Sequence, residues 1–381
     1  MQIINGLVYS DTFKFEPHNL LITGQFFDSY IHLNPIANPN DDLIIDATNC
    51  LVIPGLIDIH LHGACGYDFC DASPQAIKHI TRYELSQGIT TLFPTTMTTT
   101  SQKTLDILKA IYNFTLSPSS ATAHIAGIYL EGPYISALQC GAQDINSCRE
   151  PNLDEFKHFQ QTAPGLITYL TLAPEYSYAL EFIRACCNDT IISLGHTTAN
   201  YDIAISAFKA GASHLTHCYN AMPPLHHREP GVIGAAMDCT DIYVELICDG
   251  LHLHPSTIRQ AFKLFDDNHI IFISDSTMAT GLLDGDYTLG GLPIHVNQGI
   301  ARTPQGHLAG STTHLMDCLK KAVSFGIPLE IALKCVTANP ARESGIYNQV
   351  GSITSGKKAD CVILDQHLNV IHVIQSGQLI F

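Results

Sequence analysis

Eight short apolar runs, each followed by a stretch of helix length, occupy the middle of this chain. In chain order the runs are LVIPGLIDIHLHG, GITTLFPTT, HIAGIYLEGP, LITYLTLAPE, IISLGHTT, SHLTHCYN, IYVELICDG and HIIFISDS. Amphipathic segments such as SPQAIKHITRYELSQG and NYDIAISAFKAG separate them, and the second of these ends at a glycine suited to a helix C-terminus. Strand and helix alternating eight times is the pattern of a parallel (β/α)8 barrel.

The alternative for the same pattern is an open, doubly wound sheet. Such a sheet usually carries a GxGxxG loop after its first strand and binds its ligand at one crossover. No GxGxxG follows the first run here, and polar residues end many of the runs. A chain of 381 residues also suits one large domain with a small satellite. The barrel is therefore the favoured fold.

Both ends of the chain differ from the middle, because they alternate apolar and polar residues around glycine-containing turns. The N-terminal segments are MQIINGLVYS, LLITGQFFDSYIHL and DLIIDAT, and the C-terminal segments are GSITSGKKADCVILD and NVIHVIQSGQLIF. This alternation is typical of short β-strands. We therefore predict that residues 1–52 and 347–381 pair into one small β-sandwich domain, and that residues 53–346 form the barrel.

Composition limits the partners of this fold. A net charge of −16 offers no basic surface for nucleic-acid phosphates, although a local pocket can still bind one anionic small molecule. No apolar run approaches the roughly 20 residues of a membrane span, and the N-terminus MQIINGLVYSD lacks the features of a secretory leader. The 13 cysteines are irregularly spaced, which favours reduced thiols over a disulfide framework. We expect a cytoplasmic protein that binds neither nucleic acid nor membrane.

Ionisable residues stand at the ends of most of the eight runs. In chain order they are His60, His62, Glu131, His196, His217, Asp249 and Asp275. In a barrel, the C-terminal ends of all strands meet at one mouth. Residues i and i+2 of a strand share a face, so the HxH pair of the first run can direct both imidazoles at one ion. Imidazole and carboxylate ligands suit zinc, iron or manganese, and an incomplete protein shell leaves room for water.

Each of these residues also has an ordinary structural explanation. A single histidine at a strand end is more often a hydrogen-bonded core residue than a ligand, and this chain has 20 histidines. The specificity lies in the whole set at successive strand ends. Asp275 follows IIFIS, where an unpaired carboxylate is unfavourable. Beside a divalent cation it can bind the metal and take a proton from water, whereas the alternative is a cap on the following helix.

Longer motifs around these residues extend the interpretation. They are PGLIDIHLHG, GIYLEGPYIS, LGHTTA, HLTHCYNAMPPLHHREPGVIGAAM, CDGLHLHP, ISDSTMATGLLDGDYTLGG and LAGST. Together they closely resemble the N-acetylglucosamine-6-phosphate deacetylase family of the amidohydrolase superfamily, and the resemblance covers nearly the whole chain. THCYNAMPPLHHREPG is highly specific, whereas HxH alone indicates only the superfamily. The terminal β-sandwich belongs to the resemblance, because SGKKADCVILD is similar to the superfamily's closing strands.

The resemblance implies a role for each residue of the site. Glu131, His196 and His217 would hold the main metal ion. His60 and His62 match the first-strand pair that supports a second ion in some members of the family, so one or two ions per subunit are expected. The substrate-binding positions implied by the resemblance are Ala142, Gln143, Asn220, Ala221, Arg228, His252, Leu308, Ala309 and Gly310.

The implied reaction is the metal-dependent hydrolysis of the acetamide of N-acetylglucosamine 6-phosphate to glucosamine 6-phosphate and acetate. Metal-bound hydroxide would attack the amide, while Asp275 would act as general base and then deliver the proton to the departing nitrogen. Arg228 can hold phosphate through two parallel N–H donors. In the family this arginine reaches into the neighbouring subunit's site, so a homodimer is expected.

One segment departs from the family pattern. After LEGP the family reads KGAH or a close variant, whereas this chain reads CGAQ, with Cys140 and Gln143 at the lysine and histidine positions. Gln143 can donate and accept hydrogen bonds but cannot carry a positive charge. Deacetylation of an epimer such as N-acetylgalactosamine 6-phosphate therefore stays open. Two further alternatives are a non-catalytic scaffold, which the complete set of metal-site residues opposes, and a cyclic-amide hydrolase or deaminase, which NAM…HHREPG opposes.

Overall fold

The computed structural model describes residues 1–31 and 43–381. The parts of the predicted strand segments LLITGQFFDSYIHL and DLIIDAT that fall on residues 32, 33 and 42 lie outside the described residues. Within the described ranges, no helix has both the length and the apolar character needed to cross a membrane.

Strands are found at both ends of the described chain and throughout its middle. In chain order they are β1 (Gln2–Tyr9), β2 (Phe15–Thr23), β3 (Phe26–Ile31), β4 (Ile44–Asp46), β5 (Leu51–Pro54), β6 (Leu56–Leu61), β7 (Gly63–Ala64), β8 (Tyr67–Asp68), β9 (Ile89–Thr96), β10 (His124–Ile125), β11 (Ile128–Glu131), β12 (Ile167–Leu172), β13 (Ile191–Leu194), β14 (His214–Leu215), β15 (Tyr243–Ile247), β16 (Ile270–Ile273), β17 (Gly285–Leu289), β18 (Leu292–Asn297), β19 (Ile300–Arg302), β20 (Cys361–Leu364), β21 (Val370–Gln375) and β22 (Gln378–Leu379).

Helices fill the connections between the strands of the middle region. They are α1 (Pro74–Ser86), α2 (Ser101–Leu116), α3 (Leu153–Thr162), α4 (Ala179–Cys186), α5 (Tyr201–Ala210), α6 (Gly231–Asp238), α7 (Pro255–Leu264), α8 (Leu315–Ser324), α9 (Leu329–Val336) and α10 (Ala338–Glu343). Short 3-10 helices span Phe69–Asp71, Ala137–Gln139 and Ile145–Ser147.

Local sequence signals set the ends of several helices. The Ser73 side chain accepts from the Ala76 N–H before α1, and the Asn200 side chain accepts from the Ile203 N–H before α5. Each cap satisfies one of the backbone donors that a helix leaves free in its first turn. Helix α5 is capped at its C-terminus by Gly211, whose φ of 121° suits a residue without a Cβ atom. The predicted amphipathic segments therefore become helices at the expected places.

Eight parallel strands form the barrel, in the spatial order β6, β9, β11, β12, β13, β14, β15 and β16. The barrel closes between β16 and β6, where the Asp275 N–H donates to the His60 carbonyl at 2.9 Å. The His62 N–H donates to the Ser276 carbonyl at 2.8 Å across the same seam. Each of the eight predicted runs supplies one of these eight barrel strands, so the prediction of a (β/α)8 barrel is confirmed.

Large apolar side chains fill the inside of the barrel, which is a packed core rather than a pore. This core includes Phe93, Tyr129, Tyr169, Ile247 and Ile271, and none of these side chains is exposed to solvent. A separate and larger cluster lies between the strands and the surrounding helices. The barrel thus offers a rigid frame for polar groups at the ends of its strands.

The two termini meet in one hydrogen-bonded sheet, in the order β22, β21, β20, β5, β1, β2 and β3, with β4 paired to β1. Strand β20 runs antiparallel to β5 and joins the C-terminal strands to the N-terminal ones. The sheet has its own core, which includes Val8, Leu20, Val52 and Ile363. The termini therefore form a β-domain beside the barrel. The predicted boundaries stay predictions, and the one after residue 52 falls within β5.

A three-stranded antiparallel meander, β17 to β19, follows the last barrel strand and was not anticipated from the sequence pattern. Gly290 and Gly291 connect β17 to β18 with φ values of 58° and 89°, as a tight two-residue hairpin turn requires. After the meander, the Ser311 N–H donates to the Asp275 carbonyl at 2.7 Å. This contact anchors the preceding segment, residues 308–310, at the barrel mouth.

Candidate metal centre and active site

Two buried groups of ligand-type side chains lie at the C-terminal ends of the barrel strands. We define the first triad as His60, His62 and Asp275, and the second triad as Glu131, His196 and His217. In each triad the three candidate ligand atoms lie within 4.8 Å of one another. The structure thus brings together six of the seven ionisable residues that the sequence predicted at the mouth, and Asp249 belongs to neither triad.

The second triad has the donor atoms of a cation site. His196 Nε2 and His217 Nε2 each lie 3.0 Å from the same oxygen of Glu131, Oε1. The two ring nitrogens are also only 3.1 Å apart. Two imidazole nitrogens and a carboxylate oxygen that converge in this way match the ligand preferences of zinc, iron and manganese.

The first triad contains an imidazole nitrogen that lacks a partner. His60 Nε2 is buried and has no hydrogen bond, since Glu131 Oε1 lies 3.7 Å away and Asp275 Oδ1 lies 3.8 Å away. His62 Nε2 lies 3.1 Å from Asp275 Oδ1 and 3.3 Å from Glu131 Oε2. A buried polar atom without a partner is unfavourable, and a metal ion would satisfy it. Both triads therefore fit a divalent cation, with Glu131 between them.

Three of the histidines are oriented by a hydrogen bond from Nδ1, the ring nitrogen that faces away from the candidate metal subsites. His60 Nδ1 donates to Glu245 Oε2 at 3.0 Å, His62 Nδ1 to the Thr95 carbonyl at 3.2 Å, and His196 Nδ1 to the Gln139 carbonyl at 2.7 Å. A proton held on Nδ1 leaves the Nε2 lone pair free for a metal. The surrounding acceptors thus select the ring form that a metal ligand needs.

Left-handed backbone conformations occur at three residues of the two triads. The φ values are 46° at His196, 27° at His217 and 50° at Asp275. Each residue stands two positions after the end of its strand, where the chain turns away from the barrel. Non-glycine residues adopt positive φ at a cost of about 1–3 kcal/mol, and such strain concentrates at functional sites.

Burial and neighbouring groups shift the pKa values of Glu131 and Asp275 in opposite directions. Burial alone would raise the pKa of Glu131, but the histidines around it, His60 first, hold it well below its usual range. Burial would also raise the pKa of Asp275, but the close contact with His62 holds it below its usual value. Both groups are therefore ionised near neutral pH, which suits a metal ligand and a proton acceptor.

A cavity of about 520 Å³ opens from the triads to the surface. Its size lies within the about 300–1,000 Å³ of small-molecule sites. His62, Glu131, His196, His217 and Asp275 line the cavity on the side of the metal centre. The predicted substrate-binding residues that line it are Ala142, Gln143, Asn220, Ala221, His252, Leu308 and Gly310.

Two predicted substrate-binding residues do not line this cavity. The Ala309 N–H is buried and donates to the Ala301 carbonyl at 3.1 Å, so it is not free for a ligand. Arg228 lies on an exposed loop, where its Nη1 is 2.6 Å from His227 Nε2. Within one chain, Arg228 is therefore outside the cavity, which leaves its reach into a neighbouring subunit as a prediction.

Gln143 occupies the position that departs from the family pattern, and its amide is largely engaged by protein groups. Its Oε1 accepts from the Thr98 N–H at 2.6 Å, and its Nε2 donates to Glu131 Oε2 at 2.5 Å. One N–H of the amide is left for a ligand. The residue therefore supports Glu131 directly, a contact that sequence reasoning did not anticipate.

Two carboxylates of the site were not assigned a role from the sequence. Glu245 accepts hydrogen bonds from His60 and from the backbone of His217, and Asp249 Oδ2 lies 2.7 Å from His252 Nδ1. A signal for Glu245 exists, because it is a charged residue inside the apolar run IYVELICDG. A buried charge of this kind needs partners, and metal-site histidines are common ones.

A (β/α)8 barrel that gathers histidine and carboxylate side chains at its strand ends, beside a buried aspartate, is the architecture of a metal-dependent hydrolase. The sequence profile of the amidohydrolase family matches residues 51–380. The chain belongs to this family.

Within this family, the chain is similar to deacetylases of two amino-sugar phosphates. The chain is 39% identical over 338 residues to the N-acetylglucosamine-6-phosphate deacetylase of Bacillus subtilis (strain 168), covering 87% of this chain and 85% of that protein. It is 34% identical over 331 residues to an N-acetylgalactosamine-6-phosphate deacetylase of Escherichia coli O157:H7, covering 86% and 87%. A mutant of the Mycobacterium smegmatis N-acetyl-D-glucosamine-6-phosphate deacetylase, solved with N-acetyl-D-glucosamine-6-phosphate, superposes with a TM-score of 0.92 at 31% identity over 100% and 99% of the chains. The resemblance inferred from the motifs is confirmed.

Proposed function

We propose that this chain is a metal-dependent deacetylase of N-acetylglucosamine 6-phosphate, which releases glucosamine 6-phosphate and acetate. The observation that carries the proposal is the position of Asp275, which lines the 520 Å³ cavity and, within the first triad, lies 3.1 Å from His62 Nε2. The N-acetylglucosamine-6-phosphate deacetylases at 39% and 31% identity support the choice of substrate.

Hydrolysis of an amide is slow because the amine is a poor leaving group, and the site offers groups that address this difficulty. A bound divalent cation would polarise the acetamide carbonyl and lower the pKa of water. Asp275 is ionised and buried, so its carboxylate would accept a proton from the attacking water. The same carboxyl group would then deliver that proton to the sugar nitrogen as the C–N bond breaks.

We assign the main ion to Glu131, His196 and His217, whose ligand atoms converge most closely. His60 and His62 would support a second ion, which would give the buried Nε2 of His60 the partner that it lacks. Zinc, iron and manganese suit these ligands, with one or two ions per subunit. Metal analysis of the purified protein, with the number of ions per chain, tests this assignment.

Substrate contacts are assigned to side chains and backbone that line the cavity. Burial would lower the pKa of His252, but the hydrogen bond and charge of Asp249 raise it, so this imidazole is well suited to donate to a phosphate or a sugar hydroxyl. Asn220 and Ala221 would contact the phosphate end, and the segment 308–310 would contact the sugar or its acetyl group. Of that segment, Leu308 and Gly310 line the cavity.

Arg228 would complete the phosphate site from a second subunit. Its loop is exposed and its guanidinium does not reach the cavity of its own chain. A planar guanidinium binds phosphate through two parallel N–H donors. The protein would therefore act as a homodimer in which each chain completes the other's site.

All 13 cysteines are free thiols, which supports a cytoplasmic location.

A second candidate substrate is N-acetylgalactosamine 6-phosphate. Two observations favour it: the relative at 34% identity is a deacetylase of that sugar phosphate, and Gln143 replaces the family's histidine. The deciding experiment compares kcat/KM for both phosphorylated epimers and for unphosphorylated N-acetylglucosamine with metal-replete protein. We expect the glucosamine epimer to be preferred. A preference for the galactosamine epimer would make N-acetylgalactosamine 6-phosphate the favoured substrate. Equal activity on the unphosphorylated sugar would rule out the phosphate role of Arg228.

A further inference from the structure

Glu245 is a buried carboxylate that touches one residue of each triad. It lies on β15 and has no exposed surface. Its Oε2 accepts from His60 Nδ1 at 3.0 Å and from the backbone N–H of His217 at 2.8 Å. His60 belongs to the first triad and His217 to the second. A single oxygen atom therefore links the two candidate metal subsites.

The contact with His60 determines which ring nitrogen faces the metal centre. An ionised carboxylate can only accept, so Nδ1 carries the proton and Nε2 presents its lone pair. Nε2 is the atom that is buried without a hydrogen-bond partner near Glu131 and Asp275. Without Glu245, the proton could sit on Nε2 or the ring could rotate, and the first triad would lose a ligand.

The contact with His217 acts on the backbone instead of the ring. His217 has a φ of 27°, in the left-handed region that non-glycine residues seldom adopt. Its N–H donates to Glu245 at 2.8 Å, and its Nε2 lies 3.0 Å from Glu131 Oε1. The hydrogen bond stabilises the strained turn that aims this imidazole into the second triad.

Glu245 is itself held from the other side. Its Oε1 accepts from His214 Nε2 at 2.9 Å, and His214 Nδ1 lies 2.5 Å from Glu343 Oε1 on α10. The Tyr169 hydroxyl donates to the other oxygen of Glu343 at 3.2 Å. With a partner on each oxygen, Glu245 has one orientation, which a positioning group requires.

We propose that Glu245 is a positioning residue that orients a ligand of each triad and thereby sets the metal affinity of the centre; the inference rests on the proposed metal-dependent function. Glu245 does not touch the cavity, so it acts through His60 and His217. Groups that orient metal-bound histidines typically contribute about 10–100-fold to metal affinity.

The test measures metal affinity by chelator competition in Glu245→Met, Glu245→Gln and Glu343→Gln. E245M keeps the length of the side chain but removes the acceptor, and we expect affinity to fall about 10–100-fold. E245Q should stay within several-fold of the parent, because its oxygen can face His60 and His217 while His214 releases its Nε2 proton and keeps the proton on Nδ1. E343Q alters the same network without touching either triad and should bind metal as the parent does. Parental affinity in E245M, or an equal loss in E343Q, would overturn the proposal.

A second measurement covers the case in which E245M does not fold. Long-range ¹H–¹⁵N spectra of zinc-loaded parent protein, with His60→Gln for assignment, should place a proton on His60 Nδ1. A His60 ring without a proton on Nδ1 would contradict the proposal. Neither readout uses a sugar phosphate, so an inactive protein with wild-type-like metal behaviour refutes the proposed substrate and leaves the role of Glu245 standing.

Discussion

His196 and His217 direct the same ring nitrogen at each other, with their Nε2 atoms 3.1 Å apart. Both atoms also lie 3.0 Å from one oxygen of Glu131. Two imidazole lone pairs repel each other at this distance unless a proton or a cation lies between them. The placement of the two rings therefore fits a cation held between them.

Removal of metal should therefore destabilise the protein as well as inactivate it. A ligand that binds only the folded state adds about 2.7 kcal/mol at a concentration 100 times its Kd. We expect chelator to lower Tm and abolish deacetylation, and zinc or manganese to restore both. Calorimetry and an acetate-release assay check this. The matched variant His217→Gln should show a smaller Tm shift on metal addition; a shift as large as the parent's would show that the ion binds elsewhere.

Asp275→Asn should remove proton transfer while leaving the second triad intact. General acid–base groups contribute about 10²–10⁴-fold, so we expect kcat to fall by at least about 100-fold with metal content largely retained. The control is Asp249→Asn, the same change at another strand end. Since Asp249 contacts His252 and not the metal centre, that variant should mainly raise KM. A D275N enzyme with kcat within tenfold of the parent would remove Asp275 from the mechanism.

The variant Arg228→Ala tests whether Arg228 binds phosphate in the neighbouring subunit's site. We expect this variant to lose activity although the metal centre of each chain is complete. If Arg228 serves the neighbouring subunit, a mixture of R228A and D275N chains will form heterodimers with one competent site. That site combines Asp275 from one chain with Arg228 from the other. We expect activity to return when the two inactive variants are mixed after dissociation. Two variants that stay inactive together, with heterodimers shown by mass spectrometry, would contradict a site shared between subunits.

The sequence predicts the barrel and both triads because the signals are local. Five of the eight apolar runs end at residues of the triads, and the barrel topology brings those ends to one mouth. The His60-x-His62 pair shows this best, since two residues at positions i and i+2 of one run already define part of a site.

The supporting contacts could not be predicted in the same way. Glu245 reaches His60 across 185 positions of sequence, and His214 reaches Glu343 across 129. Which oxygen faces which nitrogen depends on how the strands pack, and no local motif records this. Gln143 is a related case: the sequence shows that it replaces the family's histidine, while its contacts with Thr98 and Glu131 emerge only from the fold.

The pKa of His214 should be raised into the alkaline range. Burial alone would lower its pKa, but the carboxylates of Glu343 and Glu245 raise it from 6.5 to about 9. Because the folded pKa exceeds the unfolded one, the stability that this charge contributes is complete below about pH 6.5 and is lost as pH rises through about 9. Histidine NMR titration should show a signal with a midpoint near pH 9 that His214→Gln removes. A midpoint at or below 6.5 would disprove the charged network.

Gly310 combines two constraints at the wall of the active site. Its φ of 57° lies in the left-handed region, and a Cβ atom there would lie 2.6 Å from Thr277 Cγ2 and 2.8 Å from the Asp275 carbonyl. Gly306, four residues earlier in the chain, is a matched control, because its φ is 89° but no atom lies within 4 Å of an added Cβ. The two positions separate the effect of backbone strain from the effect of crowding.

Gly306→Ala should therefore lower the free energy of unfolding only by the cost of left-handed backbone, about 1–2 kcal/mol. Gly310→Ala should lower it by about 1–3 kcal/mol more, because the new methyl group overpacks the site. Urea denaturation followed by circular dichroism measures both values. The carbonyl that the methyl group meets belongs to Asp275, so kcat should fall in G310A and stay near the parental value in G306A. Equal stability losses, or an unchanged kcat in G310A, would mean that the segment can shift without moving Asp275.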